Sequence, residues 1–140
     1  MASSAARSFW TASGVAFRAG KVSEWCGLFS AAVRTAADEA GRLASSIDRL
    51  RTQWREAVGR PRSGSAADKL IEALPGHPIL DVGTAERIAS VSNQAARLAM
   101  IQLEEAGVIK RVNAGKRNRA WEAVGLFEVG ETSERRLRAR

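Results

Sequence analysis

The stretch TAERIASVSNQAARLAMIQLEEAGVIKRV, residues 84–112, decides the fold. It holds a short helical signal and a longer one, with about three residues between them. Thr84 is the expected N-cap of the short helix, residues 85–90, and Glu86 lies in its first turn, where the dipole favours an acid. Val91 interrupts. Ser92 then caps a second helix that runs to about Ala106, and Gly107 stands where a left-handed residue closes a helix. The expected buried face of this helix is Ala96, Leu98 or Ala99, Met100 or Ile101, and Leu103. Small Ala89 sits where the two helices must approach closely, and apolar Val91 packs under the turn. Two capped helices at this spacing predict a helix-turn-helix.

The flanks complete the pattern. Before it, residues 66–74 read as a short helix with Leu70, Ile71 and Leu74 facing inward, and residues 77–82, HPILDV, as a short strand. After it, residues 108–112 are β-type, Asn113 to Lys116 form a turn, and residues 117–123 return. A hairpin placed there makes the motif a winged helix-turn-helix. Trp121 is expected to cap its core. The hairpin segment IKRVNAGKRNRAWE, residues 109–122, carries Lys110, Arg111, Lys116, Arg117 and Arg119 against the single acid Glu122. Such charge suits a wing lying on a sugar-phosphate backbone, where Lys and Arg displace condensed counterions.

The second helix of the motif is the expected reading helix. Its N-terminal turns carry Asn93, Gln94 and Arg97. Asn and Gln match adenine and Arg matches guanine, each through two bonds. Ser92 and the amides beside it suit a phosphate. The candidate DNA-binding residues are therefore Ser92, Asn93, Gln94, Arg97, Lys110, Arg111, Lys116, Arg117 and Arg119.

Upstream, Trp25, Leu28, Phe29, Ala32, Val33, Ala36, Ala40, Leu43, Ile47, Leu50, Trp54 and Val58 recur at steps of three and four. They predict a long helix with one apolar stripe. Gly41 is a possible kink in it. The stripe needs cover, either from residues 9–20 or from a second copy of the chain through the 22–58 helix. The expected organisation is a helical segment over 1–58, a linker over 59–65 (GRPRSGS), the winged helix over 66–128 and a charged tail, frayed or solvated, over 129–140. The fold class is mainly α with a small β-hairpin.

Composition agrees with a polyanion as partner. The 140 residues carry a formal charge of +7 and a pI near 10.9, so double-stranded DNA is the expected partner class. Cys26 is the single cysteine and reads as a buried, inert thiol beside Trp25, Leu28 and Phe29. The single histidine, His77, has no arguable partner. Neither a metal nor a cofactor is expected, and no catalytic residues are identified, so the chain does not read as an enzyme. No apolar run reaches the roughly 18 residues of a membrane span, and the N-terminus lacks the pattern of a signal peptide. A cytoplasmic protein is expected.

Two segments also resemble the C-terminal part of bacterial Fic-family proteins. FWTASGVAFRAGKVSEWCGLFSAAVRTAADEAGRLASSIDRLRTQWREAVG is similar to the helical segment after their catalytic helix. LIEALPGHPILDVGTAERIASVSNQAARLAMIQLEEAGVIKRVNAGKRNRAWEA is similar to the winged helix appended to many of them. Family members transfer a nucleoside monophosphate to a hydroxyl. HPILDVGTAER, residues 77–87, departs from their signature, with Ile79 where Phe is expected, Gly83 one residue late and Thr84 in place of Asn. No catalytic residue carries over. The resemblance implies an accessory half, with a Fic catalytic chain as a possible partner. The leading expectation is a DNA-binding module for transcriptional regulation or autoregulation. The alternative is a protein-interaction module of a Fic-family nucleotidyl transferase.

Overall fold

The structure is a computed structural model that describes residues 11, 14, 15, 17–113 and 117–139. It is mainly helical with a small three-stranded antiparallel sheet. Helix α1 (Val22–Ala57) is followed by α2 (Ala66–Ala73), a 3₁₀ turn (Leu74–Gly76) and strand β1 (Ile79–Leu80). Then come α3 (Val82–Ala89), α4 (Asn93–Glu105), β2 (Ile109–Arg111), β3 (Trp121–Ala123) and α5 (Leu126–Arg138). The chain divides into two compact units. One runs up to Ser45 and includes the segment from Val129 onward; the other spans Ser46–Glu128.

The second unit holds the main core. Leu70, Ile71, Leu74, Leu80, Met100, Leu103, Val108 and Ile109 are fully buried, with Trp54 and Trp121 nearly so. Ala85, Ala89, Ala96 and Ala99 are buried too, and their short side chains let α3 and α4 press closely together. Lys69 Nζ donates to the Ala89 carbonyl at 3.1 Å, satisfying an orphan group at the end of α3. β3 is the central strand. It pairs with β1 through Leu80↔Trp121 and with β2 through Ile109↔Ala123, Lys110↔Glu122 and Arg111↔Trp121.

Local signals set the helix ends. Ser65 caps α2 by accepting from Asp68 N at 3.3 Å, and Asp68 Oδ2 accepts from Gly64 N at 3.0 Å. Ser92 caps α4, as expected. Gly107, at φ 75, closes α4: Gly107 N donates to Glu104 O at 3.0 Å and Val108 N to Leu103 O at 2.9 Å. That pair of bonds is a Schellman motif, and Leu103 and Val108 are both buried beside it. Gly59, at φ 83, ends α1 with the same two bonds, Gly59 N to Glu56 O and Arg60 N to Arg55 O.

Several expectations are corrected. Asp81, not Thr84, caps α3, because its extended backbone lets its carboxylate accept from Thr84 N at 2.7 Å. The helix therefore starts at Val82, the strand before it shrinks to two residues, and Glu86 lies beyond the first turn. Leu98 and Ile101 are 61% and 50% exposed, not core. The core side of α4 is filled by Ala96, Ala99, Met100 and Leu103, and at about 100° per residue the other two fall on the far side. Cys26 is exposed. Trp25 and Phe29 stack at 5.4 Å one helical turn apart, and Cys26 falls off that stripe. α1 runs unbroken through Gly41. The charged tail is helical: Arg135, Arg136 and Arg138 lie in the last turn of α5, where the dipole favours cations, and Arg138 pairs with Glu134 at 3.2 Å.

The long stripe is partly covered by its own chain. Trp54 is 4% exposed and donates from Nε1 to the Val124 carbonyl at 3.2 Å, and Leu50 and Val58 pack against the same core. Arg55 reinforces this by bonding Asp68 at 3.1 Å and Glu72 at 2.7 Å. In the first unit, Glu39 is buried on α1, accepts from Ser133 Oγ at 3.0 Å and pairs with Arg42 at 3.3 Å. The serine bond, followed by the Arg42 contacts, holds its carboxyl below the usual carboxylate range.

Candidate nucleic-acid interface

The candidate residues lie on two elements of the second unit, the start of α4 and the β2–β3 hairpin. α4 is capped at both ends and packs its alanines against α3, and its first turns lie at the surface. Ser92 Oγ accepts from Ala95 N at 3.2 Å, which leaves its hydroxyl proton for an outside acceptor.

Asn93 is engaged on both sides. Its Nδ2 donates to Glu86 Oε2 at 3.1 Å, and its Oδ1 accepts from Arg97 Nε at 2.8 Å. The chemistry fixes the amide's orientation, since a carboxylate needs a donor and a guanidinium an acceptor. Glu86 thus orients Asn93, and Asn93 orients Arg97. The terminal nitrogens of Arg97 have no partner among the described residues. Gln94 is exposed and likewise has none.

The hairpin is held at its neck by Asn113. Its Nδ2 donates to Asn118 O at 2.6 Å, and its Oδ1 accepts from Ala120 N at 3.1 Å. Asn118 takes a left-handed backbone, φ 55, which asparagine tolerates better than most residues. Lys110 bonds Glu122, directly opposite on β3, at 2.7 Å, and that bond pushes the ammonium's pKa up. Arg111 approaches Glu104 at 3.9 Å and lies 5.6 Å over the Trp121 ring, a cation–π distance. Arg117 and Arg119 are exposed, with no ion-pair partner among the described residues. Lys116, also expected at this site, lies outside the described residues.

A groove of about 400 Å³ separates α4 from the hairpin. Val82, Met100, Ile101 and Trp121 give it apolar walls, and Arg97, Arg111 and Arg119 make it cationic. The structure thus gathers Arg97, Arg111 and Arg119 around one groove, whereas Gln94 lies on the outer face of α4 and Lys110 is turned to Glu122.

Sequence reading missed Glu86, Glu104 and Asn113. The seven-residue step from Glu86 to Asn93 crosses a turn, so no helical periodicity reveals it. Asn113 had a visible signal, as the Asn of the turn-type sequence Asn113-Ala114-Gly115, but its two hydrogen bonds across the neck depend on the strand register. Among the described residues no three His, Cys, Asp or Glu side chains gather to hold a metal ion, and no helix is long and apolar enough to cross a membrane. No family model and no curated protein matches the chain.

Proposed function

We propose that the chain is a winged helix-turn-helix module that binds double-stranded DNA and regulates transcription. One observation carries this reading: α4 exposes Gln94 and a pre-oriented Arg97 beside a hairpin whose Arg117 and Arg119 have no ion-pair partner among the described residues. α4 enters the major groove by its N-terminal turns, and the hairpin lies along the phosphates. Charge of this kind drives sequence-independent affinity, while Arg97 supplies base discrimination.

A homodimer belongs to the same proposal. Phe29 and Val33 are 47% and 51% exposed on α1, and a second copy of the chain would cover them. A two-fold dimer presents two reading helices to a palindromic site. Sedimentation equilibrium tests it: a 15 kDa species at tens of micromolar excludes the dimer. The Fic resemblance extends the proposal to a chain working beside a separate nucleotidyl-transferring partner, which co-purification with an upstream gene product tests.

The decisive experiment is a salt titration of duplex binding by fluorescence anisotropy. Replacing both Arg117 and Arg119 with Ala lowers the slope of log affinity against log salt by about 0.9 for each phosphate no longer neutralised. Absence of duplex binding at about 50 mM salt excludes the DNA reading.

A further inference from the structure

We infer that α4 reads the 5-methyl group of a thymine through Leu98 and Ile101, beside the base read by Arg97. This rests on the DNA-binding reading above and adds to it the kind of base the helix selects.

Gln94, Leu98 and Ile101 stand at i, i+4 and i+7, which puts them in one stripe. That stripe lies opposite the buried face of Ala96, Ala99, Met100 and Leu103. It is therefore an exposed line of the helix, running from Gln94 on the outer face to Ile101 at the edge of the groove beside the hairpin. Two large aliphatic side chains at 61% and 50% exposure on such a line call for a cover.

The surroundings specify the cover. Arg97 lies next to Leu98 in the chain, and Ile101 shares the groove with Arg97, Arg111 and Arg119. Glu104, the acid in that groove, is turned to Arg111. The occupant must therefore be anionic and also offer small apolar groups. The major groove of duplex DNA does both: phosphates line it, and the thymine 5-methyl is its apolar group, taken by apolar side chains. The geometry also sets the spacing. Gln94 and Ile101 are about 10 Å apart along the helix at 1.5 Å per residue, about three base-pair steps. A thymine within one or two base pairs of the guanine bound by Arg97 falls under Leu98 or Ile101.

The full chain is used to select sites from a random duplex library, and each thymine of the selected site is then replaced by deoxyuridine, which removes only the methyl. At one or two positions the wild-type chain loses about fourfold in affinity, the worth of one buried methyl. Leu98→Ala or Ile101→Ala binds the thymine site less tightly and no longer distinguishes it from the deoxyuridine site. Both side chains are exposed, so these variants keep the fold. If the chain binds a selected motif but every deoxyuridine replacement is neutral, methyl reading is overturned while the DNA reading stands. If no duplex is bound at low salt, both fall. If the variant carrying both Leu98→Ala and Ile101→Ala keeps wild-type DNA affinity but loses self-association in sedimentation, a second copy of the chain covers the stripe and methyl reading is overturned.

Discussion

Trp54→Ala tests how far the folded unit around α4 reaches back into α1. The ring is 4% exposed, and its Nε1 donates to the Val124 carbonyl at 3.2 Å. Removing a buried Trp side chain costs about 3–5 kcal/mol through reduced burial and the cavity left behind. The missing hydrogen bond is part of that cost, about 0.5–1.5 kcal/mol. A unit spanning Ser46–Glu128 has a total stability of roughly 4–12 kcal/mol at the usual figure per residue, so this one change removes much of it. Phe29→Ala is the internal comparison. Its ring is 47% exposed, and half-burial of such a side chain comes to about 1 kcal/mol. Native-state hydrogen exchange reads the result locally, at the amides of Leu103 and Val108 in the core. Trp54→Ala raises their exchange by about a few hundred- to a few thousand-fold, and Phe29→Ala by under about tenfold. If Trp54→Ala raises it by under tenfold, the end of α1 does not belong to this core.

Three further outcomes follow from particular interactions. Asn93→Ala and Arg97→Ala relax selection at the same base position, at about 1–3 kcal/mol for Arg97, because Asn93 acts by holding Arg97; relaxation at different positions means that Asn93 reads a base itself. Asp81→Asn changes stability at neutral pH by under about 1 kcal/mol, since Asn caps as well as Asp, but it flattens the acid limb of a pH–stability curve. The sign follows from the bond donated by Thr84 N, which lowers the folded pKa of Asp81, so its contribution is present above about pH 4 and lost as pH falls below that, and an unchanged acid limb refutes it. Gly107→Ala costs about 1–2 kcal/mol in thermal unfolding, because φ 75 forces a Cβ into the left-handed region; an unchanged melting temperature refutes the strain.

What the sequence revealed was local. Ser92 and Gly107 mark the ends of α4 because capping depends on a few adjacent residues, and the structure shows both bonds in place. Trp121, expected to cap the core, is buried for a similarly local reason, since Trp121 and Ala123 share one face of a strand whose side chains alternate. The misplaced residues are those decided by distant parts of the chain. Leu98 and Ile101 have the right residue type for a core, but the alanines of α4 face the buried side. Trp54 is buried by residues that follow a linker-like GRPRSGS, which gives no hint that the chain folds back across it. The helical tail is similar: Ser133 bonds Glu39, 94 residues away, a pairing no local pattern encodes. At the candidate interface, the basic residues were visible and their acidic partners were not.

Those partners change what the basic hairpin can do. Lys110 is paired with Glu122, Arg111 approaches Glu104 while covering Trp121, and Arg97 is tied through Asn93 to Glu86. Three carboxylates thus hold three of the cations in place, and each arrangement fixes a side chain that would otherwise lose rotamer freedom on binding. The same interactions reduce the number of charges free to meet phosphates. Arg117 and Arg119 have no such partner among the described residues, and two phosphates neutralised by them correspond to a salt slope of about 1.8. The Lys110–Glu122 pair is exposed on the lysine side, where solvent screening keeps an ion pair weak, so a phosphate is able to displace Glu122. The proposal therefore divides the interface's labour: it gives backbone binding to Arg117 and Arg119 on the hairpin and base discrimination to the restrained residues on α4. On that proposal, substitutions in the first set lower non-specific affinity and those in the second relax sequence preference, each leaving the other property largely intact.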